Sequence, residues 1–235
     1  MRLQAAFFYD VKLQFRHGFY YAYLIISTIY IMVLHALPQE FRQTADIILT
    51  FSDPGVLGFF FVGGLVLLEK GQNIHDNLFV TPYKPEEYIL SKTLSLTALS
   101  ILTCSVIHLS TFGFHTNLFL YLLGVAMTSF FFTLIGMGLS ARCKTINQFF
   151  IKSMLYTSIL ILPLLETIGL WNSPLFYILP AKGSLLLIRS AFTNLSLGEL
   201  TYAVISLAVW CVVAYFWTRN SIRRYIILKI GGGQN

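Results

Sequence analysis

Residues 69–84 read EKGQNIHDNLFVTPYK, a polar stretch set between two apolar runs long enough to cross a bilayer. Ile74 and Leu78 stand one helical turn apart, Thr81-Pro82 stops the helix, and Pro85 with Glu86 and Glu87 opens another. Proline is excluded from a helix interior but favoured in its first turn, where acidic side chains also sit well. The spacing therefore predicts a short amphipathic helix, a hard stop and a new membrane segment. So apolar a chain has little reason to keep a polar, helix-forming insert unless something outside the bilayer docks there. The alternative is a loop resting on lipid headgroups.

The composition fits this reading. Of 235 residues, 56% are apolar and 11% charged, with 21 Phe and 13 Tyr. Soluble domains carry about 25% charged residues, so a soluble core of this size would lack its polar coat. The net charge of +6 does not signal nucleic acid. Its basic residues sit at the ends of apolar runs, as lipid-flanking anchors do, and membrane lipids are the expected contact. Cys104, Cys143 and Cys211 lie in separate segments, and no Cys/His spacing suits a metal. The first apolar run is longer than a signal-peptide core and is expected to stay as an anchor.

The predicted fold is all-α: a polytopic membrane protein with six transmembrane helices, forming a single transmembrane domain over residues 1–235. A bilayer core about 30 Å thick needs about 20 helical residues, and the runs that reach it are 18–37, 45–68, 87–109, 118–139, 149–168 and 200–218. Residues 2–16 place Leu3, Phe7, Phe8, Val11 and Phe15 on one arc and Arg2, Lys12 and Arg16 on the other, with Gln4 and Gln14 intruding on the apolar arc. That pattern describes an N-terminal interfacial helix. Residues 171–192 hold two apolar pieces too short to span, parted by Pro180 and Gly183, and are read as a re-entrant hairpin entering from outside. A pair of short helices lying flat on the outer surface is the alternative. Thirteen of the sixteen Lys and Arg residues fall on one side, leaving Arg42, Lys182 and Arg189 on the other. The positive-inside rule then puts both termini in the cytoplasm. Gly55, Gly58, Gly63, Gly64, Gly136, Gly138 and Ser140 suit close helix packing, internal rather than at a dimer seam.

Charge at membrane depth is scarce. Glu166 falls near the outer end of the fifth run, where it is either a substrate or gate contact, with Pro180 in the gating hairpin, or an interfacial residue capping that hairpin. Asp46 and Asp53 fall at the outer end of the second run in structural roles. Asp53-Pro54 reads as a break and a helix start with Asp as N-cap, leaving 43–52 a separate outer or angled piece, while His35, His108 and His115 read as interfacial. Phe59, Phe60 and Phe61, like Phe130, Phe131 and Phe132, point around their helices and define no aromatic binding path. No Gly-x-x-x-x-Gly-Lys-Ser/Thr occurs, so the chain has no phosphate-cradling loop of its own.

In this order the pieces resemble the membrane subunit of bacterial ABC-2 type transporters. The family's loop pattern is matched by Glu69-Lys70, Gly71, Ile74, Leu78 and Thr81-Pro82, followed by Lys92 at the head of the third span. Gly71 lies nearer the Glu-Lys pair than in many members, and Tyr83 stands where an aliphatic often follows Thr-Pro. Within the family the chain is most similar to small fluoroquinolone-type export permeases, through DVKLQFRHGFYYAY (10–23), SDPGVLGFFFVGGLVLLE (52–69) and LFYILP (175–180).

The resemblance implies a permease half in the plasma membrane with no cofactor of its own. ATP would be bound by a separate ATP-binding-cassette ATPase, gripping a coupling helix near 72–79 whose apolar anchors are Ile74, Leu78 and Phe79, flanked by Glu69, Lys70, Gly71, Thr81 and Pro82. A second permease copy or a paralogue would complete the transporter. The cargo expected is a hydrophobic or amphiphilic compound such as a drug, an antimicrobial peptide or a lipid-like molecule. An ion-coupled secondary transporter using Glu166, or a non-transporting immunity or scaffold protein, are the rival expectations. No convergent acid, base and nucleophile set suggests an enzyme.

Overall fold

The structure is a computed structural model and describes residues 2–113 and 117–228, so His115 and Lys229 lie outside the described residues. Its described residues are helices and connecting turns, with no strand among them. In chain order these are α1 (Arg2–Arg16), α2 (Phe19–Ala36), α3 (Gln39–Ser52), α4 (Phe59–Gly71), α5 (Ile74–Phe79), α6 (Pro85–Phe112), α7 (Leu118–Ala141), α8 (Ile146–Leu160), α9 (Leu164–Thr167), α10 (Pro180–Arg189) and α11 (Leu197–Ile222). Four helices are long and apolar enough to cross a membrane: Phe19–Ala36, Pro85–Phe112, Leu118–Ala141, and α11 with its continuation to Ile227. This is an all-α membrane protein.

The four divide into two shells. In their most apolar windows 56% of α6 and 50% of α7 is buried, against 17% for α2 and for α11. So α6 and α7 form the interior, while α2 and α11 turn apolar side chains outward, as lipid-facing helices do. The hub is α7, which packs on α4, α6, α10 and α11. Its small residues permit this: a Cβ on Gly136 would stand 2.5 Å from the Phe59 carbonyl oxygen, and one on Gly138 2.4 Å from the Trp217 ring. Gly63 is closed off in the same way by the Phe149 ring. These glycines serve internal packing, as the sequence suggests.

The two other apolar runs are not single long helices. The run at 45–68 becomes α3, a π-helical turn over Asp53–Gly58, and α4. The expected helix start at Asp53 does not occur. Asp53 continues α3 in right-handed conformation and its buried carboxylate accepts from Thr103 and Cys104 instead of capping. The run at 149–168 yields α8, whose 15 residues measure about 22 Å at 1.5 Å each, and the one-turn α9.

The segment expected to form a hairpin holds a 3₁₀ turn, Pro174–Ile178, and α10. All residues of α10 from Pro180 to Ile188 except Leu186 are buried, against α3, α7 and α11. Trp210 Nε1 donates to the Ile178 carbonyl at 3.0 Å and Tyr202 Oη to that of Tyr177 at 2.7 Å, pinning the turn to α11. Backbone sheathed in this way is what an apolar surrounding tolerates.

Packing at α7 generates a stability prediction. Gly136→Leu forces the α4 backbone away and should destabilise the detergent-solubilised protein by about 1–3 kcal/mol or more. Gly64→Leu, at a glycine with nothing within 4 Å of its would-be Cβ, should leave the thermal unfolding midpoint at or above that of the wild type.

Candidate functional site

Two of the residues singled out in the 69–84 stretch and its continuation, Glu69 and Lys92, meet in the interior. Lys92, on the third turn of α6, sends its ammonium to Glu69 Oε1 at 2.6 Å and to Asp10 Oδ1 of α1 at 3.0 Å. Tyr88 Oη donates to Glu69 Oε2 at 2.6 Å, and His75 Nε2 of α5 lies 3.0 Å from that hydroxyl. Ser91 Oγ donates to Asp10 Oδ2 at 2.5 Å, and one α6 turn further on Ser95 accepts from Gln14 at 2.7 Å. All eight side chains are buried.

This corrects the reading of α1. Gln14 does not intrude on an apolar arc; Asp10 and Gln14, four residues apart, are the face that packs on α6, while Phe8 and Phe15 point outward. An i, i+4 pair of polar residues, Asp10 and Gln14, was the available signal. His75 and Tyr88 carried no such signal.

Glu69 lies just beyond the apolar end of α4. Burial alone would raise its carboxyl, but the Lys92 ammonium, with hydrogen bonds from His75, Lys92 and Tyr88, outweighs this and holds it at about 2. A carboxyl lowered from 4.5 contributes its stability above that value and loses it as the pH falls towards 2.

The remaining loop residues fall in two groups. Lys70 Nζ donates to the carbonyls of Ala141 and Cys143, at 3.1 and 2.9 Å, where a cation complements the C-terminal end of α7. Leu78 and Phe79 pack partly against the protein's own core, Phe79 stacking on His75 at 6.1 Å between centroids. Ile74 is half-buried, while Gly71, Asp76, Asn77, Val80, Thr81 and Pro82 are exposed. Thr81 Oγ1 closes α5 by donating to Leu78 O at 2.6 Å, and the Lys84 N–H donates to Glu87 Oε2 at 2.9 Å to open α6. A stop and a fresh start are therefore found where the prolines place them.

Glu166 and Pro180 stand at the other end of the molecule. Glu166 is neither an open carboxylate nor a cap; it is ion-paired with Lys182 of α10 at 2.5 Å. The pair lines a cavity of about 360 Å³ between α3, α9 and α10. Pro180 is the buried first residue of α10 and does not line it.

The partnerships of the ionisable groups inside the bundle were not legible in the sequence. His108 Nδ1 lies 2.7 Å from Asp46 Oδ2 with both side chains fully buried, so His108 is not the interfacial residue expected. Asp53 sits deeper, on Thr103 and Cys104.

The family model of the fluoroquinolones export permease protein family matches residues 1–230. The chain belongs to this family. Curated relatives include the fluoroquinolones export permease proteins of Mycobacterium tuberculosis strains CDC 1551 / Oshkosh and ATCC 25618 / H37Rv, each 28% identical over 233 residues that cover 98% of both chains. The similarity thus runs through α1, the loop and the far cavity alike. In this permease the buried ion cluster is the most charge-dense interior site near the loop. Lys92→Met should cost about 3–5 kcal/mol by stranding two carboxylates, read as a drop in thermal midpoint. Glu69→Gln should also destabilise, and should abolish the part of the acid sensitivity that the wild type shows between pH 4.5 and 2.

Proposed function

We propose that this permease is the membrane half of an ATP-driven exporter, with a separate ATP-binding-cassette ATPase docking on the face formed by α1 and α5. The observation that carries the reading is the rigid mounting of α5. A six-residue helix is too short to hold itself in water, yet this one is fixed through His75, Glu69 and Lys92 to α4, α6 and α1. Its outer side still offers Asp76, Asn77, Val80, Thr81 and Pro82, with Val80 78% exposed. A mounted helix with an exposed mixed apolar and polar face suits helix-in-groove docking.

In this reading the basic face is cytoplasmic, both termini lie inside the cell, and the protein sits in the plasma membrane. The α3–α4 and α8–α9 segments complete six crossings, and α10 forms the outer re-entrant element. Leu78 and Phe79 act as internal anchors that tie the coupling helix down, and Ile74 and Val80 reach the partner. Two permeases, alike or paralogous, pair around a path for a hydrophobic or amphiphilic compound, in keeping with the names of the mycobacterial relatives. ATP-driven closure of the ATPases would rock the halves and open the far face, where the Glu166–Lys182 pair and α10 form the gate.

The buried Asp46–His108 pair and Asp53 favour one other reading, an ion-coupled transporter, since ionisable groups at membrane depth are costly and default to function. It predicts flux that collapses with a protonophore while ATP is maintained.

The exporter reading is tested by Ile74→Asp/Val80→Asp. Capture of a co-expressed ATP-binding-cassette subunit and ATP-driven uptake into inverted vesicles should both fall at least tenfold, with the thermal midpoint unchanged. Undiminished capture and uptake would overturn it.

A further inference from the structure

The far cavity has a charge imbalance. Glu166 is committed to Lys182, and its second oxygen, Oε2, is buried and makes no hydrogen bond within the described residues. Lys182 also lies over the Tyr177 ring, 4.9 Å from its centroid. Arg189, the last residue of α10, is exposed at the cavity wall and forms no ion pair or side-chain hydrogen bond among the described residues. The Glu199 carboxylate is within electrostatic reach of both cations but is turned to Ser196, whose N–H and hydroxyl donate to its Oε2 at 2.9 and 2.8 Å. One acid against two bases leaves the cavity with one uncompensated positive charge.

The uncharged polar lining includes Gln43, Thr44 and Thr167, each able to donate a hydrogen bond, and Thr193, whose hydroxyl donates to the Arg189 carbonyl. The same lining holds Ile47, Leu185, Leu186 and Phe192. The dipole at the C-terminal end of α10 accounts for a cation at this position, but not for the donors and apolar side chains that share the cavity with it. A guanidinium presents a planar fork that matches carboxylate and phosphate oxygens in pairs.

We propose that this cavity binds the anionic oxygen group of an amphiphile, a carboxylate or a phosphate, on Arg189, with the amphiphile's apolar body against Ile47, Leu185 and Phe192. As a contact for exported cargo the site rests on the exporter reading; as a binding site it does not, and its test reads binding by the permease alone.

The test uses the purified full-length permease in phosphatidylcholine nanodiscs, empty discs as the blank, with 2-naphthoate and its neutral counterpart 2-naphthamide as probes followed by calorimetry. The acid should bind at least tenfold more tightly than the amide. Arg189→Gln should erase the preference and Arg189→Lys keep part of it, while Lys144→Gln on the loop face leaves it intact. Because the Arg189 side chain is exposed, its replacement should leave the thermal midpoint in place, which separates lost binding from lost fold. Repeating the titration in discs containing phosphatidylglycerol distinguishes the sources. A several-fold weaker, Arg189-dependent naphthoate signal assigns the site to a lipid phosphate, and an unchanged signal assigns it to a soluble carboxylate. Equal binding of acid and amide, or a preference that survives Arg189→Gln, overturns the proposal. Neither result bears on ATPase capture, so the two readings fail separately.

Discussion

One ammonium group facing two carboxylates organises the loop end of this permease. Lys92 brings α6 to Glu69 of α4 and Asp10 of α1 in a buried setting. Taking such ions out of water costs several kcal/mol each, and only close, fully hydrogen-bonded partners offset it. The consequence is mechanical. Any displacement that parts Glu69 from Lys92 strands a buried charge, so α1, α4 and the start of α6 move together or not at all. The short α5, joined to the same network by His75, inherits that stiffness.

The preceding residue extends the linkage. Lys70 reaches the last carbonyls of α7 while Glu69 reaches α6. Two adjacent side chains thus tie the end of α4 to both inner helices, and α7 in turn touches α10 through a glycine, Gly124, whose absent side chain admits Leu187. A force applied at the loop meets an unbroken series of packed contacts leading to the far cavity. Packed interiors of this kind shift between discrete arrangements rather than deform smoothly.

What the sequence disclosed follows from what is local in it. Four of the six long apolar runs, the proline stop and restart, and the glycine packing positions are set by neighbours within a turn or two, and the structure has them. The partnerships are different. Asp10 and Lys92 are 82 residues apart and Asp46 and His108 62 apart, so no periodicity can announce them. A charged residue near the end of an apolar run reads as interfacial unless its partner is known, and that is why His108 was misplaced and Glu166 half-placed. The break near Asp53-Pro54 was legible, but its π-helical form over Asp53–Gly58 escaped for a related reason. Asp-Pro is a helix-start signal in isolation, but Thr103 and Cys104 claim the carboxylate that would have capped, and the helix runs through.

The helix α6 unites these local and distant features. Lys92 stands near one end and His108 near the other, about 24 Å apart at 1.5 Å per residue. Between them Ser95, Ser100, Thr103 and Cys104 face inward, Ser95 towards α1, Ser100 towards Ser129 of α7, and Thr103 and Cys104 towards Asp53. A helix needing only hydrophobic packing would carry Leu and Val at these positions, with no desolvation cost. Polar side chains on the buried face instead fix its rotation and axial position against its neighbours, because a slip of one residue would leave several donors and acceptors unpaired at once. That makes α6 a register-locked strut. Its charged collar at the loop end and its Asp46–His108 pair at the far end keep fixed spacing, so a displacement imposed at the loop end would reach the far end of α6 through a rigid rod.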